Sequence, residues 1–436
     1  MIFHSFDFLV FFLVLVTFYW ALRHRGQNIL LLAFFKYFNF FVDNVAAVFA
    51  LAGWPVSRPV LSIVLPVGIS FYTFQSMSYT IDVYRRHATA RTSFVDVAAF
   101  ISFFPHLVAG PIMRATNLLP QIETPRRFSA AASRDATLLM VWGSFKKLVI
   151  ADNVGVIVNK VFALKAPEFY VLRAGVFAFC IQIYADFSAY TDIARGTAKW
   201  FGFDLIKNFE HPYLATSPTE FWRRWNISLS TWFRDYVFLP VAYALSRRIE
   251  SDRVLFLDST TWAYMGGMLV TMLIAGLWHG ASWNYVMWGA YHGVLLGLAR
   301  AAGAIGRPSR RVRRWLAPLQ IAGMFILTNI GWLLFRETEF SALVRDLRLS
   351  PFGASVLGRQ TGAYLFLLAL LYSIPLWAQS LWAELGGRDL VSAMIVDEAR
   401  TDARVVTAQA LLAGVLFAGV LVLHSVTSLD FIYFQF

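Results

Sequence analysis

Long apolar stretches recur along the whole chain and alternate with short polar or basic segments. A membrane-spanning helix needs about 20 consecutive, mostly apolar residues. The windows that meet this requirement are 1–22, 28–51, 59–82, 136–158, 169–192, 260–278, 282–299, 316–335, 361–384 and 405–425. The pattern predicts an all-α polytopic membrane protein with about ten transmembrane helices, organised as a single domain over residues 1–436.

The stretch Phe94–Pro120 departs from this pattern. Pro105, Gly110 and Pro111 interrupt an otherwise apolar segment, and a proline both removes a backbone donor and clashes with the preceding helical turn. Basic segments flank the stretch on both sides, so it must cross the membrane an even number of times. We therefore expect a re-entrant hairpin.

The stretch Asp204–Tyr243 is amphipathic rather than continuously apolar. Ser217 is expected to cap a helix, with Pro218 in the first turn and Glu220 three residues after the cap. The helix that follows would place apolar residues at helical spacing on one side, namely Phe221, Trp225, Leu229 and Trp232. Such a helix is expected to lie at the membrane interface or to dip inward.

Composition and charge narrow the class of protein further. Hydrophobic residues make up 58% of the chain and charged residues 15%, against roughly 25% charged in a soluble globular protein. The net charge of +12 is concentrated in loops between the windows. If the N-terminus lies on the outer side of the membrane, these basic loops all lie on the opposite face. This is the positive-inside bias of a membrane protein, and no basic stripe indicates nucleic-acid binding. The single cysteine, Cys180, excludes an internal disulfide.

Two histidines stand out because they lie in an uncharged, membrane-depth segment. His279 and His292 belong to Thr271–Gly293, TMLIAGLWHGASWNYVMWGAYHG. An ionisable residue within a membrane span is a functional candidate by default. Desolvation also favours the neutral imidazole, which is the form that a general base needs.

Four sequence blocks, found in a fixed order, carry a family resemblance. They are FFPHLVAGPIMR, IQIYADFSAYTDIARG, NFEHPYLATSPTEFWRRWNISLSTWFRDYVFLP and GLWHGASWNYVMWGAYHG. Together they resemble the membrane-bound O-acyltransferase (MBOAT) superfamily, and in particular its bacterial alginate O-acetyltransferase-like branch, which the terminal FIYFQF also resembles. The resemblance implies an MBOAT core of spanning, re-entrant and interfacial helices, with the motif core at about 94–300.

The resemblance also implies a reaction. A short acyl group, expected to be acetyl, passes from a cytoplasmic thioester donor to a hydroxyl acceptor beyond the membrane. Acetyl-CoA is the expected co-substrate, and no bound cofactor or metal is expected. The histidine of LWHG, here His279, is the family's catalytic residue. Its partner in the FWRRW block is here Asn226, where most bacterial relatives carry histidine. Asparagine cannot act as a base, so Asn226 could only orient or hydrogen-bond.

Further residues in these blocks are weaker candidates for donor binding or for lining a channel. The arginines Arg223, Arg224 and Arg234 could bind donor phosphates in a bidentate manner, or could instead reach lipid headgroups. For Asp186 we expect mainly a structural role. We expect Asp186 and Asp192 to form ion pairs with Arg195, Arg223 or Arg224.

Trp278 is a candidate through its position beside His279, and His292 is expected mainly to orient neighbouring groups. For His106 and His211 we expect bonds to backbone groups at broken helices.

The sequence does not determine the identity of the acceptor. It could be an exported polysaccharide or a serine of a periplasmic or extracellular acetyltransferase partner, and the protein is expected in a bacterial cytoplasmic (inner) membrane. D-alanyl transfer from a carrier protein to teichoic acid machinery is one alternative. A non-catalytic transporter or scaffold of a polysaccharide export complex is the other, although the chain lacks the paired interrupted segments typical of repeat-built carriers.

Overall fold

Helices make up nearly all of the regular structure. The computed structural model describes residues 24–54, 68–107, 110–249, 251–254, 257–305, 309–386 and 403–432. The helices up to residue 233 are α1 His24–Leu51, α2 Ile69–Tyr84, α3 Phe94–Ile101, α4 Ala115–Glu123, α5 Ala130–Phe145, α6 Asp152–Phe162, α7 Phe169–Trp200, α8 Pro218–Arg224 and α9 Ile227–Phe233. Those that follow are α10 Leu239–Ser246, α11 Ser259–His279, α12 Trp283–Ile305, α13 Arg310–Arg336, α14 Phe340–Leu347, α15 Val356–Gly386 and α16 Ala403–Leu423.

Short irregular elements connect the helices. Single 3₁₀ turns lie at Phe104–His106, Pro212–Leu214 and Pro351–Gly353, and π turns lie at Lys146–Ala151 and Arg234–Phe238. Two two-residue strands, β1 Arg253–Val254 and β2 Leu257–Asp258, pair antiparallel just before α11. The all-α prediction is therefore confirmed.

Membrane-length helices coincide with several of the predicted windows. Among the described residues, five helices are long and apolar enough to cross a membrane: Phe169–Trp200, Ser259–His279, Trp315–Arg336, Val356–Gly386 and Val406–Leu423. The windows 28–51, 136–158 and 282–299 are helical as well. Window 1–22 and residues 59–67 of window 59–82 lie outside the described residues. The total of about ten spans stays a prediction.

The helix α7 forms the centre of the protein. In its most apolar stretch 94% of the residues are buried, against 22% in α15 and 11% in α16, so α7 faces protein while the other two expose apolar sides suited to lipid. The helices α5, α6 and α15 pack around α7. Gly196 lets α5 approach closely, because a Cβ there would lie 2.7 Å from the carbonyl oxygen of Ala136.

A buried ionic cluster lies where α5 passes into α6 through the π turn. The Lys147 ammonium lies 2.9 Å from Asp152 and 3.0 Å from Asp186, in ion pairs rather than well-directed hydrogen bonds. It also donates to the carbonyl oxygen of Leu429, and Asp186 accepts from the backbone N–H of Ile432, at 2.9 and 2.8 Å. The cluster therefore fastens the segment after α16 to the central helix.

These contacts correct the predicted partners of the two acids in this region. Asp186 pairs with Lys147 and with neither Arg195, Arg223 nor Arg224, because the π turn brings α5 against the middle of α7. Asp192 does contact Arg195 at 3.3 Å, but its shorter ion pair, at 2.7 Å, is with Lys146.

The stretch Phe94–Pro120 folds as a helix, a break and a second helix. The helices α3 and α4 pack against each other. The described residues between them form a 3₁₀ turn at Phe104–His106 and an irregular segment over 110–114. The re-entrant placement of this stretch in a membrane stays a prediction. The His106 side chain bonds to Gln75 at 2.8 Å, so the expectation that it bonds to backbone groups was wrong.

A first prediction concerns the ionic cluster. Replacing Lys147 with Met leaves Asp152 and Asp186 buried without their cation, and we expect the free energy of unfolding to fall by about 3–5 kcal/mol. The double variant Lys147→Met/Asp186→Asn should recover part of the loss, because one uncompensated charge is removed. Denaturant unfolding of the purified protein in detergent measures both. The exposed Lys160 on α6 provides a matched control, and equal stability of Lys147→Met and Lys160→Met would contradict the prediction.

A second prediction concerns the start of α11. The Asp258 side chain accepts from the Thr261 backbone N–H at 2.7 Å, and hydrogen bonds from Thr260 and Thr261 hold the pKa of its carboxyl below its usual range. Because the folded-state pKa is lowered, the stabilisation is present at neutral pH and is lost as the pH falls through that pKa. Asp258→Ala should lower the Tm at pH 7, whereas Asp258→Asn should not, since asparagine caps a helix as well. A Tm for Asp258→Ala matching that of Asp252→Ala would argue against a cap.

Candidate active site

A helix break places Asn226 at the centre of the amphipathic stretch. Ser217 caps α8 as predicted, accepting from the Glu220 backbone N–H at 3.3 Å. However, α8 ends at Arg224, and Asn226 takes the left-handed conformation with φ 40° and ψ 60° before α9 begins. The prediction of one continuous helix was therefore wrong. Asparagine adopts this conformation more readily than most residues.

Burial of the predicted apolar face is nevertheless confirmed. The four residues have exposed fractions of 1–4%: Phe221, Trp225, Leu229 and Trp232. The break does not turn either short helix away from the core, so both still direct aromatic side chains inward.

Two other irregular segments form hydrogen bonds with the turn at Asn226. The Asn208 backbone oxygen accepts from the Ile227 N–H at 2.9 Å, and its side-chain Oδ1 accepts from the Ser228 N–H at 3.0 Å. The Ser228 hydroxyl in turn accepts from the Ile112 N–H at 3.0 Å. The irregular residues before α4 and the loop before α8 thus meet at this turn.

The side chain of Asn226 is enclosed but has unused hydrogen-bonding capacity. Asn226 is 2% exposed, and neither its Oδ1 nor its Nδ2 has a hydrogen-bond partner among the described residues. A buried amide in this state is costly. The amide is therefore suited to bind a polar group that the described residues do not supply.

His279 is the last residue of α11 and is half-buried among aromatic rings. The ring centroids of Trp278, Trp288 and Phe335 lie 4.9, 5.1 and 5.1 Å from that of the imidazole. Gly280 follows in extended conformation, and a Cβ there would collide with the Tyr285 ring. The rings restrict the imidazole while its partial exposure leaves it accessible.

The two helices that flank Asn226 contact the rings around His279. Trp222 of α8 lies 5.7 Å from Trp288, and Phe233 of α9 lies 6.4 Å from Trp278. Trp225, the neighbour of Asn226, also lies 4.9 Å from Trp332, which contacts Phe335 at 5.8 Å. One aromatic cluster therefore contacts His279 and the helices on both sides of Asn226.

His292 is linked to the same cluster through a shared tryptophan. Its ring lies 5.0 Å from Trp288, the ring that also contacts His279, and 5.2 Å from Trp222. It is 3% exposed, and Gly331 makes room for it, since a Cβ there would lie 2.7 Å from Nε2. The contacts fit a residue that positions Trp288, and its role stays a prediction.

Trp278 lies inside the wall of the site. It is 3% exposed and packs on Phe71 and Phe74 at 5.7 and 5.4 Å between ring centroids. Phe74 in turn stacks on Trp232 at 3.8 Å. Trp278 therefore connects α2 and α9 to the end of α11.

The three candidate arginines have different surroundings. Arg224 is engaged by protein carboxylates, lying 2.6 Å from Glu220 and in an ion pair with Glu384. Arg223 is exposed, and Arg234 is 59% exposed and pairs with Asp235 at 2.8 Å. The geometry leaves Arg223 and Arg234, rather than Arg224, open to an anionic ligand.

Sequence reasoning missed Arg114 and Asn208. Arg114 lies 3.2 Å from Asp235, and its guanidinium lies over the Tyr236 ring at 4.3 Å. Both missed residues lie within the quoted blocks, in GPIMR and NFEHP. The available signal was their polar character in short segments that contain proline, because backbone breaks in an apolar protein require side-chain partners.

His211 also differs from expectation. Its Nδ1 lies 3.0 Å from the Ser380 hydroxyl, so its side chain bonds to a side chain rather than to backbone. It has a left-handed backbone, with φ 48°, and joins the loop before α8 to α15.

Comparison with known proteins agrees with these blocks. A family model described as MBOAT, membrane-bound O-acyltransferase family, matches residues 67–334. The "Probable alginate O-acetylase" of Pseudomonas putida is 39% identical over 327 residues, covering 75% of this chain and 63% of that protein. The "Peptidoglycan O-acetyltransferase" of Helicobacter pylori is 29% identical over 361 residues, covering 76% and 64%. The "Teichoic acid D-alanyltransferase" of Bacillus subtilis is 22% identical over 340 residues, covering 75% and 83%.

The chain spans less than two thirds of the length of the first two relatives. The family model, by contrast, matches more than half of the 436 residues and includes Asn226, His279 and His292. The chain belongs to the membrane-bound O-acyltransferase family.

Proposed function

We propose that the protein is an O-acyltransferase that carries an acetyl group, or another short acyl group, from a cytoplasmic thioester to a hydroxyl beyond the membrane. Acetyl-CoA is the proposed donor, and O-acetylation of an exopolysaccharide is the proposed outcome. The observation that carries the proposal is the aromatic cluster that contacts both His279 and the residues flanking Asn226, whose enclosed amide has no hydrogen-bond partner among the described residues. Relatives named as O-acetylase and O-acetyltransferase support the same reaction.

The chemistry follows from the two side chains. An imidazole nitrogen of His279 takes the proton of the acceptor hydroxyl, and the oxygen attacks the thioester carbonyl carbon. The resulting oxyanion accepts a hydrogen bond from the Asn226 Nδ2, whose amide is neutral and cannot compete for the proton. Collapse breaks the carbon–sulfur bond, and the thiolate takes the proton back from the imidazolium.

The membrane arrangement belongs to the same proposal. About ten crossings with the basic loops in the cytoplasm would place the protein in a bacterial inner membrane as a multi-pass protein. The donor would enter from the basic face, where Arg223 and Arg234 would be open to its phosphates. The acceptor would arrive from the opposite face.

A third prediction tests the base. His279→Ala should lower kcat by about 10²–10⁴-fold, because the hydroxyl loses its proton acceptor. Transfer of labelled acetyl from acetyl-CoA by the protein in proteoliposomes measures this, and the exposed His424→Ala serves as control. Activity of a folded His279→Ala variant close to that of the control would rule out the assignment. Transfer from a D-alanyl carrier thioester, but not from acetyl-CoA, would favour the teichoic acid alternative, and no transfer from either would favour a transporter or scaffold.

A fourth prediction separates the Asn226 amide from its backbone. Asn226→Gly retains the left-handed turn and removes the amide, so we expect kcat to fall about 10²–10³-fold with little change in Tm. Asn226→Ala removes the same group but adds about 1–2 kcal/mol of backbone strain, so its Tm should fall as well. Unchanged kcat in Asn226→Gly would show that the residue serves only the turn.

A further inference from the structure

Trp288 of α12 lies where the rings around His279 meet those of α8. Its ring centroid lies 5.1 Å from that of the His279 imidazole and 5.7 Å from that of Trp222. Trp222 belongs to α8, which ends shortly before Asn226. Trp288 also contacts Phe335 at 5.5 Å and is 1% exposed. This buried indole therefore connects the imidazole to the helix that leads to Asn226.

The indole N–H of Trp288 is an unsatisfied donor. Its Nε1 is buried and has no hydrogen-bond partner among the residues that the structure describes. An indole N–H can donate but cannot accept, and a buried tryptophan usually finds a partner for it. Because an unsatisfied buried donor costs free energy, this position suits an acceptor atom that arrives with a substrate.

Phe335 and Trp278 also contact the imidazole, but neither fits this role as well. Phe335 has no N–H group. Trp278 packs against α2, with its ring 5.7 Å from Phe71 and 5.4 Å from Phe74, so it belongs to the wall between α2 and α11. Trp288 is thus the ring beside the imidazole that combines a buried N–H donor with a contact to α8.

The amide of Asn226 belongs to a helix break that adjoins the same rings. Its Nδ2 is enclosed and, like the Trp288 N–H, has no acceptor within the described part of the chain. Trp225 beside it contacts Trp332, which in turn contacts Phe335. Acyl transfer places a negative charge on one carbonyl oxygen, and donors that are already in place stabilise that charge most effectively. Two such donors beside one aromatic cluster fit this requirement.

We propose that the Trp288 indole N–H donates a hydrogen bond to the thioester carbonyl oxygen of the acyl donor as that oxygen becomes negatively charged. The inference rests on the proposed function, because it takes acyl transfer to occur at His279. When the hydroxyl oxygen attacks the carbonyl carbon, the electron pair of the C=O bond moves to its oxygen, and the hydrogen bonds from Trp288 and Asn226 strengthen. Collapse restores the C=O bond and breaks the carbon–sulfur bond, and the indole keeps its proton throughout. Trp288 is thus a catalytic residue that stabilises charge without transferring a proton.

A fifth prediction removes the N–H group and keeps the shape of the ring. Benzothienylalanine, in which sulfur replaces the indole N–H, is incorporated at position 288 by nonsense-codon suppression. We expect kcat for acetyl transfer in proteoliposomes to fall about 10²-fold. The KM for acetyl-CoA should change little, because the lost hydrogen bond forms mainly in the transition state. The Tm should not fall, since the protein itself supplies no acceptor that would be lost.

The same isostere at position 142 is the matched control. Trp142 is 6% exposed and its Nε1 also lacks a hydrogen-bond partner among the described groups, but it lies on α5 and stacks on Phe145. Its kcat should equal that of the unmodified protein. Trp288→Phe provides a second variant without the N–H, and we expect it to lose kcat to a similar extent and to have a lower Tm because its ring is smaller.

Three results would each overturn the inference. They are a kcat for the isostere at position 288 equal to that of the position-142 control, a rise in KM with unchanged kcat, and a fall in Tm that accounts for the lost activity. The first would show that the N–H takes no part in transfer, the second that it serves ground-state binding, and the third that it serves the fold. The proposed function fails separately, if folded His279→Ala still transfers acetyl groups.

Discussion

The apolar body of this protein must satisfy each interruption of its helices with its own polar groups, because neither lipid nor packed core supplies water. The contacts of Asn208 and Ser228 are the main example. One asparagine bonds to two consecutive backbone N–H groups after the break, and one serine bonds to the irregular segment before α4. Without these bonds α8 and α9 could not separate at Asn226, and the aromatic cluster would lose its arrangement.

Much of the architecture is readable from the sequence. Apolar length located helices such as α7 and α11, and the Ser217 cap and the buried face from Phe221 to Trp232 followed from local patterns. The break at Asn226 did not, because helical periodicity continues across it and a single backbone angle leaves no trace in the spacing. The partner of Asp186 was also missed, since ion pairs in a bundle depend on which helices adjoin.

The site could be predicted in part for the same reasons. The candidates His279 and Asn226 came from motif blocks, and the aromatic rings that link His279 to the helix before Asn226 lie in the same blocks or nearby. A depression that contains Trp283 required the folded chain, because residues of α1, α12 and the segment after α13 line it. Residues so distant along the sequence show no common pattern before they meet.

The left-handed backbone at position 226 limits which side chains can occur there before any chemistry is considered. Glycine, asparagine, aspartate and histidine tolerate such a φ best, and only the last three carry a polar group. The exchange of histidine for asparagine, which the family resemblance implies, therefore stays within the small set of residues that the turn admits. A change of side chain at this position can therefore alter proton transfer, hydrogen bonding or charge, whereas the turn itself disfavours bulky apolar and β-branched residues.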